Sequence, residues 1–71
     1  MAEIRAPITG NVWKILVAPG MEVKEGAPLV ILESMKMEVT IGASRPGKVR
    51  EVRCIEGRPV NAGETLVVLE N

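Results

Sequence analysis

Seventy-one residues provide for one domain, expected over 1–71, and a chain of this size buries only about 60% of its unfolded surface, so its core must be compact. Nine basic side chains balance nine acidic ones and Trp13 is the only aromatic residue, which leaves neither the basic face nor the stacking platforms of a nucleic-acid binder. Cys54 is the only cysteine and histidine is absent, so no intrachain disulfide can form and a structural zinc site lacks its usual ligands.

Short runs rich in Val, Ile and Leu alternate with turns marked by Gly and Pro, the pattern of an all-β chain. In chain order the expected strands are Glu3 to Ala6, Asn11 to Val17, a short piece around Val23, Leu29 to Ser34, Met37 to Ala43, Lys48 to Cys54, a short piece around Val60, and Thr65 to Glu70. Eight strands in two sets of four predict a small sandwich. In Val12-Trp13-Lys14-Ile15-Leu16-Val17 the apolar residues do not alternate strictly, and Val49-Arg50-Glu51-Val52 repeats the Val-x-x-apolar spacing. A helix is the competing reading, but a β-bulge in each stretch turns both apolar residues to one side. Cys54 reads as a small core residue, with a reactive thiol as the alternative. The longest apolar runs, such as Leu29 to Leu32, fall far short of the roughly 20 residues that span a bilayer, and no basic region with an apolar stretch opens the chain. The expectation is a soluble, cytoplasmic protein with no membrane partner.

The two halves repeat each other without a gap. Gly10, Gly20 and Gly26 match Gly47, Gly57 and Gly63 at an offset of 37, and Leu29-Val30-Ile31-Leu32-Glu33 matches Leu66-Val67-Val68-Leu69-Glu70. Two copies are too few for a solenoid, which needs about three to bury a continuous core; they are expected to close face to face, with these glycines holding turns. Lys36 falls in the link between them.

Strands ending at Ser34 and restarting at Met37 make Met35-Lys36 the centre of a two-residue hairpin turn. Such turns usually carry Asn or Gly, because type I′ geometry requires φ > 0 at both central residues. Two long side chains there imply strain of the kind that collects at functional sites, unless the turn is shifted or longer. On base rates a turn lysine is a solvated surface residue and a methionine fills core. Here the methionines flank an exposed tip, where flexible thioethers suit a surface read by several partners in turn. Glu33 and Glu38 frame the tip as solvated carboxylates with no visible source of the geometry that acid–base catalysis requires. The chain is expected to catalyse nothing by itself.

Met35-Lys36-Met37 after an acidic residue, set between two gapless copies of one Gly-marked β unit, resembles the biotinyl domains of biotin-dependent carboxylases, and is most similar to short biotin carboxyl carrier proteins and biotin/lipoyl attachment proteins. The resemblance covers nearly the whole chain. It implies a flattened β-barrel, or sandwich, of two four-stranded antiparallel sheets related by a quasi-two-fold axis. It also implies that Lys36 carries biotin in amide linkage, that Met35 and Met37 are the flanking recognition residues, and that the partners are biotin protein ligase, biotin carboxylase and carboxyltransferase. Ser34 stands where the family more often has Ala or Val, and the protruding thumb of some acetyl-CoA carboxylase carriers is absent. The rival is a lipoyl carrier of a 2-oxo acid dehydrogenase or glycine cleavage system, whose tip is of the Asp-Lys-Ala type.

Overall fold

A computed structural model describes residues 1–70; Asn71, the last residue of the expected domain, lies outside the described residues. The described chain forms eight strands: β1 (Ala2–Arg5), β2 (Gly10–Ile15), β3 (Glu22–Val23), β4 (Pro28–Ser34), β5 (Met37–Gly42), β6 (Gly47–Val52), β7 (Pro59–Val60) and β8 (Thr65–Glu70). They make two four-stranded antiparallel sheets, ordered β1-β8-β6-β3 and β5-β4-β2-β7. All eight expected strands are present, and the flattened sandwich stands. The largest boundary differences are at β2 and β6, which begin on Gly10 and Gly47 and end two residues early, at Ile15 and Val52.

The copies close differently from a simple face-to-face pair. Each sheet is built around the second and fourth strands of one copy and is flanked by the first and third strands of the other. The exchange obeys the 37-residue offset residue by residue: Ile31↔Thr40 is matched by Val68↔Glu3, and Asn11↔Glu33 by Lys48↔Glu70. Neither copy closes a sheet on its own, which fits the marginal size of the chain.

Bulges set what faces inward. The register slips at Trp13 between β2 and β4, and at the equivalent Arg50 between β6 and β8, so Val12 and Val49 are buried while Ile15 and Val52, three residues on, still pack against the core. A second equivalent pair lies at Leu29 and Leu66, where β4 and β8 meet the other copy. There the slip turns two consecutive residues inward, and Leu29, Val30, Leu66 and Val67 are all fully buried. The core is aliphatic, with no polar or charged residue buried among the described residues. Cys54 is part of it.

The glycines do two different jobs. Gly20, Gly26, Gly57 and Gly63 have positive φ and sit third in four-residue turns closed by i-to-i+3 bonds, such as Met21 N–H to Ala18 C=O at 3.1 Å and Arg58 N–H to Ile55 C=O at 3.1 Å. That is the position where a type II turn requires glycine. Gly10 and Gly47 were expected in turns as well; they instead open strands at ordinary φ, and their role is close approach of backbones. No helix of the structure is long and apolar enough to cross a membrane.

Candidate functional site

The β4–β5 hairpin ends on Ser34↔Met37, with Met35 and Lys36 as its two turn residues. Their φ values are +51° and +65°, and they are the two non-glycine residues of positive φ among those described. A side chain in this region costs about 1–2 kcal/mol per residue. The return is geometric, because a turn with both φ positive matches the right-handed twist of the strands and leaves no slack in the loop. Lys36 is thus held outward on a rigid two-residue corner at the end of a four-stranded sheet.

Among the described residues no salt bridge or side-chain hydrogen bond takes up the Lys36 amine. Lys36 is exposed, and the ion pairs among the described residues, Arg5 with Glu3 and Arg53 with Glu51, lie on the other sheet. Met35 is 93% and Met37 67% exposed, so neither fills core. Glu33 and Glu38 stand directly opposite each other across the strands and are both exposed. Like charges in that relation destabilise a sheet by a few tenths of a kcal/mol, and their negative field lies two residues behind the turn.

Support for the hairpin comes from a residue not foreseen in that role. Gly10 opens β2 beneath the end of β4, and a β-carbon built on it would lie 2.7 Å from the Glu33 carbonyl oxygen and 3.3 Å from Ser34 Cβ. Its lack of a side chain lets β2 press against the base of the turn. A glycine within a strand is the sequence signal for such an approach, and it was available in Gly10-Asn11-Val12.

The tip has the chemistry of a substrate. One exposed amine on a fixed corner can be acylated by another enzyme, and the paired carboxylates behind it, Glu33 and Glu38, are exposed. Among the described residues no cluster of acidic residues or cysteine is arranged to hold a metal ion. A surface groove lined by Met1, Glu3, Arg50, Glu51, Arg53 and Val68 lies on the opposite sheet and does not touch the hairpin.

The family described as "biotin-requiring enzyme", the biotin/lipoyl group, matches residues 2–69. The chain belongs to this family. Among relatives, the biotin/lipoyl attachment protein of Bacillus subtilis is 47% identical over 64 residues, covering 90% of this chain and 88% of that one. The biotin carboxyl carrier protein of Streptococcus mutans is 44% identical over 64 residues, and there the match spans only 49% of the relative. In the solved urea carboxylase of Kluyveromyces lactis, one segment superposes with a TM-score of 0.92 at 33% identity, covering 97% of this chain and 6% of the larger enzyme. The biotin/lipoyl fold thus occurs both in short proteins near this length and as a small part of long carboxylases.

Proposed function

We propose that this chain is a biotin carboxyl carrier in which Lys36 is the attachment residue and Met35 and Met37 are read by the enzymes that use it. The observation that carries the reading is the hairpin itself: an exposed lysine at positive φ between two exposed methionines, in a chain of the biotin-requiring family. Biotin protein ligase is the first partner. A lysine amine is protonated in neutral water, so the ligase must take that proton while presenting an activated biotinyl group. The Lys36 Nζ then attacks the acyl carbon, the new C–N bond forms, and the adenylate leaves.

When bound, biotin supplies a ring nitrogen that accepts a carboxyl group from bicarbonate at a biotin carboxylase and yields it to an acyl-CoA or oxo acid at a carboxyltransferase. The protein's own residues do the remaining work. The strained turn fixes the origin of the arm, and the lysine stem and its attached chain, roughly ten bonds of about 1.5 Å, give a reach on the order of ten ångströms. Sites farther apart require the domain itself to travel, and tethering keeps the effective concentration high at both. The chain catalyses none of these steps, and we place it with its partners in the cytoplasm.

A lipoyl carrier is the second reading, because the Bacillus subtilis relative is named for both cofactors. The Met-Lys-Met tip favours biotin. Incubation with biotin protein ligase, biotin and ATP, followed by intact mass and peptide mapping, should show one biotin per chain on Lys36 and none on Lys14, Lys24 or Lys48. Lys36→Arg protein keeps the charge without an amine that can be deprotonated and should take none. Label on that variant would overturn the assignment.

A further inference from the structure

The four methionines divide by what their sulfurs do. Met1 and Met21 are engaged: Arg50 Nη1 donates to the Met1 sulfur at 2.8 Å, and the Ala18 amide donates to the Met21 sulfur at 3.2 Å. Among the described residues no donor reaches the sulfurs of Met35 or Met37. Exposure alone does not make this division, since Met1 is 69% exposed and Met37 67%. The availability of the sulfur lone pairs does.

The other sulfur in the chain is shielded. Cys54 is buried, and desolvation pushes its thiol above the ordinary cysteine range, so little of the reactive thiolate is present and access is poor. The exposed thioethers that no donor reaches, among the described residues, therefore lie on either side of the lysine that carries the function.

We propose that Met35 and Met37 are an oxidation site that switches the carrier off: hydroperoxides convert both thioethers to sulfoxides, and the altered tip is no longer accepted efficiently by the carboxylase. In each step a sulfur lone pair attacks the terminal peroxide oxygen and the O–O bond breaks. An S–O bond forms, and the proton of the attacked hydroperoxide group passes to the leaving oxygen. Sulfur loses two electrons and hydrogen peroxide becomes water. A sulfoxide is polar, chiral and a strong acceptor, where the thioether was apolar and pliable, so a surface recognised through methionine loses its fit. The damage is reversible, because methionine sulfoxide reductases return both epimers to the thioether. Met1 and Met21 react later because one lone pair of each sulfur is already engaged, by a guanidinium and an amide respectively, which lowers its nucleophilicity.

This inference rests on the carrier reading, and the test separates the two. Apo protein is treated with dilute hydrogen peroxide before any biotin is attached, because biotin has a thioether of its own. Peptide mass spectrometry then follows oxygen addition at each methionine. Met35 and Met37 should gain oxygen several-fold faster than Met1 and Met21, with Cys54 unchanged; equal rates at all four, or faster reaction at Met1 or Met21, would overturn the proposal. Oxidised and untreated samples are next biotinylated to completion and compared as substrates of a bacterial biotin carboxylase. The oxidised sample should be carboxylated several-fold more slowly and should recover after treatment of the apo protein with both reductases. Protein carrying Met1→Leu and Met21→Leu should lose the same fraction of its rate. An unchanged rate with both tip methionines oxidised would overturn the switch, whereas failure of the untreated protein to accept biotin would instead sink the carrier reading.

Discussion

Gly10 and Gly47 offer a matched pair of perturbations in which one touches the attachment hairpin and the other does not. A β-carbon on either would stand 2.7 Å from a backbone carbonyl oxygen, that of Glu33 for Gly10 and that of Glu70 for Gly47. Neither glycine has positive φ, so the cost of Gly10→Ala or Gly47→Ala is steric. Relieving the contact requires a backbone shift of about half an ångström, and overpacking of this kind typically costs about 1–3 kcal/mol. For a domain of this length that lowers the melting temperature by on the order of 10 °C. The Glu33 carbonyl is two residues from Met35, so in Gly10→Ala the shift is passed to the turn; the Glu70 carbonyl lies at the end of β8, in the sheet that does not hold β4 and β5. Misplacing a reacting group by about 1 Å can cost up to roughly a hundredfold in rate, and half that displacement should slow biotinylation of Lys36 several-fold. Melting followed by circular dichroism, with initial rates at a temperature where both variants are folded, provides the comparison. The expected result is similar destabilisation in both and slower modification in Gly10→Ala alone. Equal slowing in both would mean that stability governs the rate, and an unchanged melting temperature in Gly10→Ala would refute the steric argument altogether.

Two further outcomes follow from the turns. Gly20 and Gly57 have φ of +97° and +86° with open space where a β-carbon would point, so Gly20→Ala and Gly57→Ala should each destabilise by about 1–2 kcal/mol through backbone strain alone; D-alanine at either position, introduced by chemical synthesis, should remove the loss, and equal melting of the L and D forms would contradict the assignment. Met35→Asp combined with Met37→Ala gives the tip a lipoyl character and should shift modification by biotin and lipoate ligases toward lipoate, read by intact mass; a variant that takes biotin at the parental rate and no lipoate would move cofactor choice away from the methionines and onto the strands or Glu33 and Glu38.

Much of the candidate site was legible because its determinants are local. A two-residue connection between Ser34 and Met37 favours the type I′ turn with positive φ at both positions, and both values are positive; the same spacing leaves Met35 and Met37 without core to fill, and both are exposed. The bulge at Trp13 and Arg50 was legible for a related reason, since Val-x-x-apolar spacing cannot put both residues on one face of a regular strand. The equivalent bulge at Leu29 and Leu66 was not, because a continuous apolar run looks the same whether every second residue faces inward or a slip turns two neighbours in together.

Sequence by itself determined the all-β character, the 37-residue duplication, the strand order along the chain and the strained lysine turn, all of which depend on backbone sterics and on periods of a few residues. Apart from β4 and β5, which the two-residue hairpin joins, tertiary structure alone decided which strands are neighbours. Corresponding strands of the two copies carry nearly the same apolar pattern, so β2 could satisfy its hydrogen bonds with a third strand from either copy, and only burial of the whole sandwich selects β7 over β3. The double role of glycine was settled at the same level: a positive φ belongs to a turn of four residues, but the 2.7 Å approach of a Gly10 β-carbon to the Glu33 carbonyl oxygen exists only once β2 and β4 have been pressed together by the core.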